Sequence, residues 1–445
     1  MKKIITCFVL LLIATIMGVA QEQQPQLGIV NRTQCSGFWR YDFNYTTTDI
    51  DEETPIVLSA AIFLSTEIHN KTKEAKGLAL MNHYTITSND ERPTNVSGPF
   101  TLEGFIQGSD YIIIESDGIG FGLTVDRKQP YLKGRATART NIDALLAGQT
   151  LLEEEGIGFG EVVVNLGYSQ GGHSGMWVNR LVAEGYRSDE LPKINYCLIG
   201  GGPYDMYAHY QKLATDGTSY YPVAISLILN GIIDDFTTET ISHDDVFKPK
   251  FTERIPEWFD SKKYKSTAIN SMIYENFGGS EESGLPINAI VTDAFFHPEG
   301  TDMEKACQWL KDNSLVYDEW SPEHTDAIKF IHSQNDEVVP YVNMENMAQF
   351  LRDNGYNAFT IDDNINTNHT ATGLYYARQV VTELASYDPD GAVTEVAIDS
   401  DTIGKPIDVY SIDGCLLMRQ VSPFDAYQQL ERGIYIIGNK KVVKQ

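Results

Sequence analysis

The segment 162–177, VVVNLGYSQGGHSGMW, restricts the possible folds of this chain more than any other part of its sequence. It begins with β-branched residues that suit a buried strand and, after a short turn, continues into a pattern that suits a helix. The turn GYSQG, centred on Ser169, fits the pattern G-x-S-x-G. In that pattern the glycines leave room for neighbouring backbone, while the serine adopts strained backbone angles. The segment therefore predicts a sharp strand–turn–helix with an exposed serine hydroxyl.

Strand and helix patterns alternate from about Pro55 to Tyr387. Apolar runs that suit buried strands are PIVLSAAIFLS, KGLALMNHY, SDYIIIESD, EVVVNLG, INYCLIGGG, AIKFIHS and AFTIDD. Segments with helical periodicity lie between them, such as RATARTNIDALLAGQTLLEEE and PYVNMENMAQFLRDNGY. This alternation predicts an α/β fold with a mostly parallel central sheet and helices on both faces.

Two regions depart from the alternation. Residues from about 203 to 325 look mostly helical and are too many for a loop in a compact domain, so we interpret them as an inserted helical cap. Residues 391–445 contain short alternating strands separated by glycine and aspartate turns, which predicts a small C-terminal all-β domain, a β-sandwich. The sequence thus divides into a main domain of residues 21–388, which includes the cap, and the tail.

The first twenty residues have the pattern of a signal peptide. Lys2 and Lys3 are followed by the apolar run IITCFVLLLIATIM and by small residues before Gln21. No later stretch reaches the ~18 apolar residues of a membrane span, which predicts an exported, soluble mature protein. Its formal charge of −27 argues against nucleic acid and anionic membrane surfaces as partners.

The cysteines give no sign of a metal site. Cys35, Cys197, Cys307 and Cys415 remain after the predicted cleavage, are far apart and show no C-x-x-C spacing. Free thiols and any of the three possible disulfide pairings stay open. We expect neither a metal nor an organic cofactor.

A serine nucleophile needs a base and an acid that orients the base, and in this strand–turn–helix context they follow in the order serine, acid, histidine. Asp336 lies in the turn after the strand AIKFIHS and is the candidate acid, with Glu337 as the neighbouring alternative. His369 follows the next strand, AFTIDD, and is the candidate base. The sequence places it on a loop beside the acid.

Two sets of backbone N–H groups are candidates for stabilising an oxyanion. Gln170 follows the serine at the start of the helix, where N–H groups and the helix dipole favour negative charge. A second donor is expected from the loop after an early strand. The stretch ALMNHYTITSND occupies that place, so Tyr84 or Thr85 is the candidate.

These motifs resemble those of the α/β-hydrolase superfamily, and more narrowly of its secreted lipase/esterase branch with a large helical cap. The residues that carry the resemblance are SDGIGFGLTVDRKQPYL, GYSQGGHSG and EWSPEHTDAIKFIHSQNDEVVPY. The resemblance implies the α/β-hydrolase fold and assigns nucleophile, acid and base to Ser169, Asp336 and His369. One departure lies in the oxyanion loop, where many relatives have His-Gly-Thr and this chain has His83-Tyr84-Thr85.

The tail resembles a type IX secretion C-terminal sorting domain, through IDVYSIDGCLLMR followed by LERGIYIIGNKKVVKQ. This resemblance implies recognition by secretion machinery and export to the surface or the medium of a bacterium with an outer membrane. The predicted activity is hydrolysis of a small-molecule, lipid or carbohydrate ester through an acyl-enzyme. A serine exopeptidase of the same fold and a non-catalytic surface binding protein are the alternatives, and the oligomeric state stays open.

Overall fold

The computed structural model describes residues 26–98, 102–106, 109–235, 241–387, 407–411, 416–421, 430, 433–437 and 440–444. The predicted signal peptide and the predicted boundary before the tail lie outside these residues. No helix in the described ranges is long and apolar enough to cross a bilayer. Among the described cysteines, Cys35, Cys197 and Cys307 are free thiols, and Cys415 lies outside the described ranges.

Fifteen strands are described along the chain. They are β1 (Gly28–Gln34), β2 (Phe38–Thr48), β3 (Pro55–Ser65), β4 (Ala75–Asn82), β5 (Tyr111–Ser116), β6 (Phe159–Tyr168), β7 (Ile194–Gly200), β8 (Thr218–Ser219), β9 (Leu285–Pro286), β10 (Thr325–Ile331), β11 (Phe359–Asp362), β12 (Ile407–Ser411), β13 (Leu416–Val421), β14 (Gly433–Ile437) and β15 (Lys440–Lys444).

The α-helices separate these strands over most of the chain. They are α1 (Thr66–His69), α2 (Leu102–Ile106), α3 (Gly134–Glu154), α4 (Gln170–Ala183), α5 (Met206–Asp216), α6 (Pro222–Ile233), α7 (His243–Val246), α8 (Pro249–Thr252), α9 (Ser266–Phe277), α10 (Met303–Asp312), α11 (Val342–Asp353) and α12 (His369–Ser386). Short 3₁₀ turns lie at Asn89–Glu91, Pro93–Asn95, Gly122–Thr124, Ile287–Ala289 and Asp293–Phe295, and a π turn lies at Pro256–Asp260.

The main sheet has nine strands in the order β1-β2-β3-β5-β4-β6-β7-β10-β11. The pairs from β5 through β4, β6, β7 and β10 to β11 are parallel, whereas β1, β2 and β3 extend the sheet antiparallel beyond β5. Parallel strands need crossover connections, and helices supply them. The prediction of a mostly parallel sheet is confirmed.

Helices cover both faces of the sheet. Alternate residues of β4 divide between two clusters, with Leu78 and Leu80 on one face and Ala79 and Met81 on the other. Helices α3, α4 and α11 contribute to the first cluster, and α2 and α12 to the second. The period of two along each strand thus buries apolar side chains on both sides, which explains why the strand sequences are continuously apolar.

The strands β1 and β2 precede the first strand predicted from sequence. Arg40 and Asp42 interrupt the apolar pattern of β2, yet both are buried and form an ion pair, with 2.7 Å between Arg40 Nε and Asp42 Oδ1. Because charged residues interrupt the hydropathy pattern, that pattern does not reveal that neighbouring residues such as Phe43 and Tyr45 are buried. The sheet therefore starts earlier than the sequence indicates.

The segment between β7 and β10 is largely helical and contains α5–α10 together with the short antiparallel pair β8–β9. It has a hydrophobic cluster of its own, built around Phe247, Phe251, Trp258 and Ile273. Two residues of the main domain, Tyr131 and Leu132, join that cluster. The segment therefore packs onto the loop before α3, and its role as a cap stays a prediction.

In the tail, the described strands form one four-stranded antiparallel sheet in the order β13-β12-β14-β15. Residues 391–406 of the predicted all-β domain lie outside the described residues. The assignment of residues 391–445 as a β-sandwich domain therefore stays a prediction.

Candidate active site

Ser169 lies between the end of β6 and the start of α4, at the carboxyl edge of the parallel strands. Its backbone angles are φ 58° and ψ −121°, a combination that is energetically unfavourable for any residue with a Cβ atom. Its backbone N–H donates to the carbonyl oxygen of Gly200 at the end of β7, at 2.9 Å. The turn is therefore anchored to the neighbouring strand while its side chain remains partly exposed.

Glycines make this turn possible. A Cβ atom at Gly167 would overlap the carbonyl oxygen of Gly171, and one at Gly171 would overlap the carbonyl oxygen of Asn82. A Cβ atom at Gly172 would lie 2.5 Å from the carbonyl oxygen of Gly200. The first turn of α4 thus lies directly against β4 and β7, an approach that any larger residue would prevent.

The structure brings the three predicted triad residues into contact. His369 Nε2 lies 2.9 Å from Ser169 Oγ, and His369 Nδ1 lies 2.6 Å from Asp336 Oδ2. The second carboxylate oxygen, Asp336 Oδ1, accepts the backbone N–H groups of Val338 at 3.0 Å and Val339 at 2.7 Å. Both carboxylate oxygens are thereby fixed, and the imidazole bridges the acid and the serine.

The electrostatics of the pair follow from burial and proximity. Burial alone would lower the pKa of His369, but the adjacent Asp336 carboxylate and its hydrogen bond outweigh it and raise that pKa above its ordinary value of 6.5. Burial alone would raise the pKa of Asp336, but His369 and the hydrogen bonds it accepts bring it below 3.8. The arrangement favours an ionised acid beside a histidine that accepts a proton readily.

His369 is the first residue of α12, not a loop residue as the sequence predicted. Asn368 caps the helix, since its side-chain oxygen accepts the backbone N–H of Ala371 at 2.9 Å. Asparagine is a preferred N-cap residue, and Asn368 is the sequence signal that would have placed the helix start here.

Glu337, the alternative acid, forms no hydrogen bond or ion pair with the imidazole ring in the structure. Its Oε2 atom accepts the backbone N–H of His369 at 3.0 Å. Asp336 is therefore the carboxylate that meets the ring, while Glu337 meets the main chain of the same histidine.

Two tyrosines that the sequence analysis did not single out connect the serine turn to α12. The Tyr168 hydroxyl donates to the carbonyl oxygen of His369 at 2.6 Å. The Tyr376 hydroxyl accepts the backbone N–H of Gly167 at 2.7 Å and donates to the carbonyl oxygen of Leu198 at 2.8 Å. These contacts join residues about 200 positions apart in sequence, and no local pattern signals them.

A buried asparagine network lies beneath the turn. Asn82 Nδ2 donates to Asn165 Oδ1 at 2.7 Å and to the carbonyl oxygen of Leu166 at 2.8 Å, while Asn82 Oδ1 accepts from Asn141 at 2.6 Å. All three asparagines are buried. Because buried polar groups are costly unless paired, this network fixes β4, β6 and α3 relative to one another.

The predicted oxyanion groups belong to the start of α4 and to the segment after β4. Tyr84 and Thr85 follow β4, whose last residue, Asn82, pairs in register with Gly167. Thr85 is buried and its hydroxyl bonds the Tyr131 hydroxyl at 2.8 Å, whereas the Tyr84 side chain is 44% exposed. Within the described ranges, no acceptor bonds the backbone N–H of Gln170, Tyr84 or Thr85. These N–H groups remain available, and their role stays a prediction.

Other histidines lie near the site without joining it. His332 Nε2 bonds the carbonyl oxygen of Val339 at 2.9 Å and lies 3.7 Å from Asp336 Oδ2. His173 Nε2 bonds the carbonyl oxygen of Asn313 at 2.8 Å, and burial lowers its pKa to about 4. Both fit structural roles. Among the described residues there is no cluster of three or more His, Cys, Asp or Glu side chains that could hold a metal ion.

Comparisons with known proteins establish the fold. No family model matches the chain, and no curated protein matches it in sequence. The rice cell wall degrading esterase LipA from Xanthomonas oryzae matches with a TM-score of 0.65 and 19% identity, over 78% of this chain and 89% of that chain. Candida antarctica lipase A in its closed state matches with a TM-score of 0.57 and 14% identity, over 83% of each chain. The chain has the α/β-hydrolase fold, as the sequence resemblance implied.

Proposed function

We propose that the chain is a serine hydrolase that cleaves carboxylic esters of small molecules, lipids or carbohydrates. The contact of His369 with both Ser169 and Asp336 supports this proposal most strongly, because a strained serine, a base and an orienting acid form a nucleophile-activating unit. The names of the two structural neighbours, an esterase and a lipase, support the ester class.

In the proposed mechanism, His369 Nδ1–H donates to Asp336, so Nε2 is free to accept the Ser169 hydroxyl proton. Ser169 Oγ attacks the ester carbonyl carbon as His369 takes that proton. The tetrahedral oxyanion is held by the backbone N–H of Gln170 and by that of Tyr84 or Thr85. His369 then gives its proton to the leaving alcohol, and the carbonyl re-forms as an acyl-enzyme.

Hydrolysis of the acyl-enzyme repeats the same steps with water. His369 removes a proton from water, the resulting nucleophile attacks the acyl carbon, and Ser169 leaves with the proton from His369. Asp336 stabilises the imidazolium in both halves of the reaction, which fits the raised pKa of His369. No step needs a metal or an organic cofactor.

We further propose that the protein is exported, to the surface or medium of a bacterium with an outer membrane, and that the tail is recognised by secretion machinery. The signal-peptide pattern of residues 1–20 and the resemblance of residues 391–445 to a sorting domain support this proposal. The segment 203–325 is proposed to cap the site and to select the substrate.

A panel of substrates tests the ester assignment. Purified protein should hydrolyse p-nitrophenyl acyl esters, with Ser169→Ala as the inactive control, and should leave aminoacyl p-nitroanilides essentially intact. Preferential cleavage of the anilides would instead identify a serine exopeptidase. Cleavage of neither class, together with no reaction with a fluorophosphonate, would identify a binding protein.

A further inference from the structure

Two consecutive carboxylates contact the same histidine in different ways. Asp336 Oδ2 meets the imidazole of His369 at 2.6 Å, and Glu337 Oε2 accepts the backbone N–H of His369 at 3.0 Å. The acid turn therefore holds both the ring and the main chain of the proposed base. The proposed mechanism has no role for Glu337.

The backbone N–H of His369 would otherwise lack an acceptor. As the first residue of α12, His369 has no intrahelical acceptor for that N–H, as is general for the first turn of a helix. Glu337 provides the acceptor, and a carboxylate at a helix N-terminus also interacts favourably with the helix dipole. Glu337 thus ties the start of an 18-residue helix to the turn that carries the acid.

The main chain of His369 is fixed on both sides. Its N–H donates to Glu337, and its carbonyl oxygen accepts the hydroxyl of Tyr168, the residue before the nucleophile. The imidazole spans 2.9 Å to Ser169 Oγ and 2.6 Å to Asp336 Oδ2, so a shift of its backbone would lengthen one of these contacts.

The Glu337 charge also acts on the imidazole. Burial lowers the pKa of His369, and Asp336 raises it. The Glu337 carboxylate also raises the pKa of His369, by a smaller amount. Two further histidines, His209 and His332, also interact electrostatically with His369. Among the described residues, Asp336, Glu337, His209 and His332 interact electrostatically with His369, and the Tyr168 hydroxyl bonds its carbonyl oxygen.

We propose that Glu337 is a positioning residue for the proposed base: its carboxylate fixes the backbone of His369 so that the imidazole spans Asp336 and Ser169, and its charge favours the imidazolium formed during the reaction. The proposal rests on the proposed ester hydrolysis through Ser169.

Two substitutions separate the hydrogen bond from the charge. Glu337→Gln keeps an acceptor for the His369 N–H but removes the charge, whereas Glu337→Ala removes both. We expect Glu337→Ala to lower kcat by about 10–100-fold with little change in KM, since displacements near 1 Å cost up to about 100-fold. Glu337→Gln should retain most of kcat. In both variants the acid limb of the kcat/KM profile should move to lower pH, because the loss of a negative charge lowers the pKa of His369.

Glu345→Ala is the matched control, because Glu345 is an exposed glutamate in the first turn of α11. It should leave kcat and the pH profile unchanged. A lowered melting temperature of Glu337→Ala with wild-type kcat and acid limb would overturn the proposal, because it would leave Glu337 only a structural role. If Glu337→Ala does not fold, an unshifted acid limb in Glu337→Gln would overturn it. Undiminished hydrolysis by Ser169→Ala would instead refute the proposed function itself.

Discussion

The strained conformation of Ser169 predicts an unusual order of stability between two inactive variants. At φ 58° and ψ −121°, backbone strain destabilises the folded state by about 1–3 kcal/mol for a residue with a Cβ atom. Ser169→Ala keeps this strain, and Ser169→Gly removes it. Glycine, however, increases the conformational entropy of the unfolded chain, which lowers the free energy of unfolding by about 0.5–1 kcal/mol. Both variants lose the contact with His369, so that loss cancels. Ser169→Gly should therefore be more stable than Ser169→Ala by about 1 kcal/mol.

Urea denaturation followed by tryptophan fluorescence measures this difference in the free energy of unfolding. Ala377→Gly, in the middle of α12, is the control and should show the ordinary order, with glycine less stable than alanine by about 1 kcal/mol. Equal slopes against urea concentration would establish that the variants expose similar surface on unfolding. If Ser169→Gly is instead less stable than Ser169→Ala by a similar amount, the turn is not strained and the reasoning is refuted.

Three further predictions concern the turn, the pH profile and the tail. Gly171→Ala should lower the free energy of unfolding by about 2 kcal/mol or more and reduce the melting temperature, because its Cβ would overlap the carbonyl oxygen of Asn82. The pKa of His369 is raised above 6.5, and the base must be neutral to accept a proton, so kcat/KM for an uncharged ester should rise with pH through a midpoint above 6.5. A midpoint below 6.5 would contradict the proposed effect of Asp336 on His369. Removal of residues 391–445 should leave ester hydrolysis by the purified protein nearly unchanged while altering where the protein is found in its native cell; loss of soluble expression would make the tail part of the fold.

The sequence predicted the elements that carry a strong local signal. The strands β3 to β7, β10 and β11 are short apolar runs bounded by polar residues, and α3 and α4 have clear helical periodicity, so both types were assigned correctly. The N-terminal strand β2 was missed because its buried Arg40–Asp42 pair satisfies its charges only in the folded structure. A hydropathy pattern cannot distinguish such a pair from two exposed charges.

At the site, the sequence supplied the residue types and their order but not their contacts. Asp336 and His369 were candidates because each follows a strand of a parallel sheet, and the carboxyl ends of such strands meet at one edge. That Glu337 would hold the His369 backbone, or that Tyr168 would hold it from the other side, depends on tertiary packing. The start of α12 at His369 was missed, although Asn368 is a preferred N-cap residue and signals it.

The most direct test of the central claim is to locate the adduct of a fluorophosphonate probe in the intact protein. Peptide mapping by mass spectrometry should find one adduct on Ser169, and none in Ser169→Ala. The rate of labelling in His369→Ala should fall by roughly 10⁴-fold or more, because the serine and its base act as a unit. An adduct on another residue, or undiminished labelling of Ser169→Ala, would contradict the assignment of Ser169 as the nucleophile.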